Sequence, residues 1–124
     1  MLSAGERGSG TVLAAGLALT MLILMVLILG LAQAAAAAAK AATAADMAAL
    51  AAADTYRGLT EGEPCLVAAD VAGRHGAILI GCIAAGDFSV QVEVHLATGM
   101  GVPLQATGKA RAGPPPDSSP PLQP

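Results

Sequence analysis

Cys65 and Cys82 are the only cysteines in this 124-residue chain and its most chemically specific residues. Cys65 falls near the start of a predicted short helix. Cys82 falls in the following predicted strand, with the same parity as Ile78 and Ile80. Joined as a disulfide they would close an 18-residue loop, worth roughly 3 kcal/mol in the chain-entropy account. A head with almost no aromatic residues needs such a staple, because its core is thin. The alternatives are two buried thiols or a redox pair. Against these, the chain has no C-x-x-C, and two cysteines without matched histidine spacing make a poor zinc site. A disulfide would place the head in an oxidising, extracytoplasmic compartment.

Other chemistry is sparse. His75 and His95, with Asp70 or Glu93, are the conceivable metal donors, but two histidines on separate elements of a small head read as surface residues. There is no local support for a Ser-His-Asp set, no phosphate-cradling glycine loop and no carboxylate pair in an evident pocket. An enzyme is therefore not expected, nor is a metal or other cofactor. Net charge is −3, the six basic residues form no cluster, and Tyr56 and Phe88 are the only aromatics. A nucleic-acid binder needs a basic footprint and usually stacking rings, so nucleic acid is not an expected partner.

The element on which everything else depends lies upstream. Residues 12–31 are aliphatic or small, interrupted only by Thr20, and carry no charge. At 1.5 Å per residue such a run spans roughly 30 Å, the hydrocarbon thickness of a bilayer. Past Gln33 comes an alanine tract diluted only by Lys40, Thr43, Asp46, Met47 and Leu50. Alanine is the best helix former and no proline or glycine lies between Leu31 and Ala53, so one helix is predicted over 11–53, on the order of 65 Å long. Its membrane span would be about residues 11–32. Residues 1–10 form a short, leader-like cytoplasmic segment. The weak charge bias puts the N-terminus in the cytoplasm and the C-terminal head outside, as a single-pass protein of the cell membrane.

The alanine half admits two readings. Small side chains let backbones approach, as in membrane small-xxx-small interfaces, so the helix would pack among copies or relatives. Ala38, Ala42, Ala45 and Ala49 mark that stripe. Alternatively the tract is a stiff stalk.

The head is predicted over 54–112. Gly58 closes the long helix, and Pro64 opens a second helix running to Arg74 with Gly76 at its end. Strands are predicted over 77–84, 88–96 and 102–112. In the second, Phe88, Val90, Val92, Val94 and Leu96 share one side. In the third, Leu104, Ala106 and Ala110 alternate with Gln105, Thr107, Lys109 and Arg111. This is an α+β fold, a three-stranded antiparallel sheet covered on one face by helix. Residues 113–124 are proline-rich and read as a disordered tail; the P-x-x-P match at Pro121 to Pro124 is expected to be solvated.

Several of these residues together carry a family resemblance. Glu6-Arg7-Gly8-Ser9-Gly10-Thr11 resembles the start of actinobacterial TadE-like pseudopilins. Ala44-Ala45-Asp46-Met47-Ala48-Ala49-Leu50-Ala51-Ala52-Ala53 resembles their alanine-rich core. Pro64-Cys65 opening a helix, Cys82 in the next strand and the Ala110 to Pro114 end follow in the same order. The resemblance implies a pilin-like, non-catalytic subunit or accessory protein of a tight-adherence (Flp-type) pilus or related type II/IV secretion apparatus. Its partners would be the membrane, other pilin-like subunits or secretion-machine proteins, and a prepilin peptidase cutting after a glycine, with Gly8 before Ser9 the first candidate and Gly10 the second. One position departs. Pilins of this type carry a glutamate five residues after cleavage, and counting from Ser9 that position is Leu13. This favours a minor or priming subunit, or an uncleaved membrane relative, over a major pilin.

Two competing classes remain. Ala32-Gln33-Ala34 is a small-x-small step, so cleavage after Ala34 would release a secreted small binding domain, although the apolar run exceeds the usual signal length of roughly 7–15 residues. A membrane-tethered enzyme would depend on His75 or His95.

Overall fold

The computed structural model describes residues 4–97 and 105–115. The chain is α+β: a long helix α1 (Ala4–Tyr56), a short helix α2 (Pro64–Arg74), and strands β1 (Ala77–Ala84), β2 (Val90–Ala97) and β3 (Gln105–Ala112). The sheet is an antiparallel meander in the order β1-β2-β3. Residues 98–104, which include the start of the third strand as predicted with Leu104, and residues 116–124 lie outside the described residues.

α1 is an unbroken helix of 53 residues. It starts at Ala4 rather than near Thr11, so Gly8 and Ser9 are helical. Neither Glu6 nor Arg7 is a breaker, and isolated glycines cost only about 1 kcal/mol each in a helix. At the other end the helix passes Ala53 to Tyr56. The Gly58 N–H donates to Thr55 O at 3.0 Å and the Leu59 N–H to Asp54 O at 2.9 Å. This is the paired bonding of a Schellman cap, and Gly58 supplies the required left-handed backbone at φ 79°.

Two compact units divide the chain, Met1–Ala35 and Ala36–Pro124. In the first, α1 stands alone and its aliphatic side chains are uncovered; Leu13 and Leu31 are 77% and 74% exposed. Among the described residues, α1 is the one helix long and apolar enough to cross a membrane. The Thr20 hydroxyl donates to Gly16 O at 2.8 Å, so this polar group is satisfied within the helix.

In the second unit, α1 is the floor of the core. Ala41, Ala44, Ala45, Ala48, Ala49 and Ala52 recur at helical three-four spacing and are fully buried. Val90, Val92 and Val94 meet them from the sheet, and Ala68 and Ala72 from α2. Alanine against valine is a thin core, and it brings backbones close. Gly108 of β3 shows how close, because a Cβ built there would land on the Ala41 carbonyl.

Two features of the sheet differ from the sequence reading. β1 pairs Leu79 with Val94 and Gly81 with Glu93, leaving Ile80 as an extra, bulged residue. The bulge reverses parity, so Cys82 sits opposite inward-facing Val92 while Ile78 lies opposite His95. Cys82 therefore does not share a face with Ile78. Likewise, Phe88 precedes β2 and is 55% exposed, at φ 62°. It leaves the valine row and packs on Tyr56, ring centroids 5.6 Å apart.

The predicted alanine stripe also divides. Ala45 and Ala49 are buried beneath the chain's own sheet, whereas Ala38 and Ala42 are exposed. Ala45→Leu should thus lower the stability of the head by about 1–3 kcal/mol, the usual cost of overpacking, and Ala42→Leu should leave it within about 0.5 kcal/mol. Denaturant unfolding of the two variants in parallel checks this.

Candidate functional site

Cys65 and Cys82 are joined by a disulfide, with Cα atoms 5.8 Å apart. Pro64 starts α2 and places Cys65 in its first turn. The β1 bulge turns Cys82 inward to meet it. The bond thus ties the helix to the edge strand of the sheet, where the fully buried residues of α2 are alanines, Ala68 and Ala72, with Val71 and Leu79 partly buried beside them.

A second cluster was not foreseen. The Ser89 hydroxyl donates to Asp87 Oδ1, and the Ser89 N–H does so at 3.2 Å. Arg111 reaches across from β3, its Nε donating to Ser89 Oγ at 2.9 Å and its Nη2 pairing with Asp87 Oδ2 at 2.8 Å. These bonds fix the turn that holds Phe88 in its left-handed conformation. Gly86-Asp87-Phe88-Ser89 carries a local signal, an aspartate two residues before a serine in a turn. Arg111 could not be added to it without the β2–β3 register, in which it faces Gln91.

The Ser89 hydroxyl holds the Asp87 carboxyl below its ordinary value of 3.8; desolvation opposes it, and the Ser89 N–H and the Arg111 charge add smaller lowering effects. A depressed carboxylate stabilises the fold at pH above its unfolded value, and that contribution fades as pH falls through the folded one. The head should therefore show an acid-side loss of stability below pH 3.8. Asp87→Asn should flatten that part of the profile, as read by unfolding midpoints between neutral and acid pH.

His75 caps α2, and His95 lies between Ile78 and Thr107 in the sheet register. Among the described residues no group of three or more His, Cys, Asp or Glu side chains is placed to hold a metal. Gly8 and Ser9 are exposed on α1, with Leu13 one turn further on. The outer face of β1 carries Ile78 and Ile83, 70% and 65% exposed.

What the geometry defines is a small disulfide-stapled α+β head built around the end of a long apolar helix. The chain matches no protein-family model, no curated protein and no solved structure.

Proposed function

We propose that this chain is a non-catalytic, pilin-like subunit or accessory protein of a tight-adherence pilus or related secretion apparatus, assembling through its N-terminal helix. The observation that carries the reading is α1 itself. Its aliphatic residues from Val12 to Leu31 are left exposed by the chain, and the same helix continues without a break into the alanine-rich floor of the head. A plain anchor requires only the first half of such a helix. In this reading α1 crosses the cell membrane once, with the N-terminus cytoplasmic and the disulfide-bonded head outside, where the oxidised Cys65–Cys82 pair is stable. The ordered resemblance to TadE-like pseudopilins from Glu6 to Pro114 supplies the apparatus. Leu13, where a major pilin of this type has glutamate, points to a minor or priming role.

Deleting the chain from its source cell tests the proposal. Surface pili, or secretion through the same apparatus, should fall sharply and return when the chain is restored. Unchanged pili and secretion in the deletion strain would overturn it.

A further inference from the structure

The two aromatic residues of the chain come from the end of α1 and from the β1–β2 hairpin. Their rings, Tyr56 and Phe88, lie with centroids 5.6 Å apart and tilted by 45°. Phe88 occupies an unusual place in that hairpin. The Ala85 N–H donates to Ser89 O at 2.8 Å, which closes a loop of Gly86, Asp87 and Phe88. The third position of such a loop takes the left-handed backbone and is usually glycine. Here it holds phenylalanine at φ 62°, and among the described residues no other non-glycine residue has a positive φ. The side chains of Asp87, Ser89 and Arg111 hold the turn in place through their hydrogen bonds. A ring put there only to shield Tyr56 would be buried by doing so, yet Phe88 stays 55% exposed.

The chain leaves the sheet beside these rings. β3 ends at Ala112. Gly113 then runs so close to the hairpin that a Cβ built there would lie 2.6 Å from Ser89 Cβ and 3.5 Å from Phe88 O. Six of the eleven residues 114–124 are proline. Proline has no N–H with which to extend the ladder. Aromatic-lined surfaces are what proline-rich segments dock on.

We propose that the Tyr56–Phe88 ring pair is the docking site for this chain's own segment 117–124, with Pro120 and Pro121 laid against the rings. Asp117, Ser118 and Ser119 are turn-favouring residue types, and they stand between the two proline runs, where the chain has to reverse. The five residues 116–120 reach about 16 Å when extended, and the segment sets out from a point already beside Phe88. A tether this short gives an effective concentration of about millimolar, so a weak contact suffices to keep the segment in place. The left-handed turn then acts as a mount that presents the ring outward where the segment passes. The docking is a property of the head alone and holds whatever apparatus the chain serves.

Proton NMR of the full-length chain in detergent micelles tests this, because a single tyrosine and a single phenylalanine leave the ring signals unambiguous. Nuclear Overhauser contacts should join the Phe88 and Tyr56 rings to Pro120 and Pro121, whose protons should be displaced by the ring currents. Phe88→Gly should remove both signs and keep the hairpin, because glycine adopts the left-handed backbone without strain. Pro120→Ala combined with Pro121→Ala should also remove them, while leaving Tyr56 and Phe88 in contact. Unchanged methyl signals from Val90, Val92 and Val94 establish that each variant keeps the folded head. In a mixture of isotope-labelled and unlabelled chains, the ring-to-proline contacts should stay within single copies. Absence of those contacts in the parent chain would overturn the inference, as would their survival in the Phe88→Gly variant or in the doubly substituted proline variant. Contacts found only between labelled and unlabelled copies would overturn it too, by making the occupant another chain.

Discussion

Gly108→Ala is expected to cost the head about 3 kcal/mol, the upper end of the usual overpacking range, and Gly108→Val to prevent its folding. The new Cβ would meet the Ala41 carbonyl and carbon, which are backbone atoms of α1 and cannot swing aside as a flexible side chain would. Relief would require β3 to lift from the helix, separating the valine row of β2 from the alanines beneath it. Gly73→Ala is the control. Nothing lies within 4 Å of a Cβ at that position in α2, so alanine should stabilise the helix by up to about 1 kcal/mol. Denaturant unfolding of both variants decides the matter. A Gly108→Ala variant as stable as the parent would mean that β3 does not sit against α1 at Ala41.

Cys82→Ala should lower stability by about 3 kcal/mol through the opened loop, with a sharp rise in proteolysis between α2 and β1. The size of the effect follows from the thinness of the core. Only valines are large among the fully buried side chains, and α2 contributes just Ala68 and Ala72. Dispersion and area burial at that contact are small, so the covalent tie carries an unusual share of the docking of α2. Peptide maps of the parent protein should differ between reducing and non-reducing digestion by the fragment joining Cys65 and Cys82. Identical maps would remove the staple from this account.

Local patterns were enough for the elements but not for their contacts. Proline at the start and glycine past the end delimit α2, and the alternation of Val90, Val92 and Val94 marks the buried face of β2. Both are signals written within a few residues. The bulge at Ile80 has no such mark, because an apolar run of isoleucines reads the same with or without an extra residue. Without it Cys82 would have faced the wrong side, so the staple followed from chemistry and not from parity. Phe88 fits the β2 alternation and yet leaves the strand. Its turn is held by Arg111, more than twenty residues away in sequence, and joined to it only by the register. Alanine is the extreme case. Every position of the tract 34–53 suits a helix, and the residue type is equally at home facing a sheet, a neighbouring helix or water. Which alanines were core became visible only through the strand that covers them, and Gly108 acquired its meaning from the same contact.

The claim on which the functional reading stands is that the whole of α1 remains with the head in the membrane. Intact mass of the chain extracted from washed membranes tests it most directly, because full-length, Gly8-cleaved and Ala34-cleaved forms differ by many residues. The account predicts membrane-bound protein that is either full-length or begins at Ser9, in both cases retaining the helix from Val12 to Tyr56. A soluble, secreted chain beginning at Ala35 would contradict it, turning the apolar run into a discarded signal and the head into a free domain.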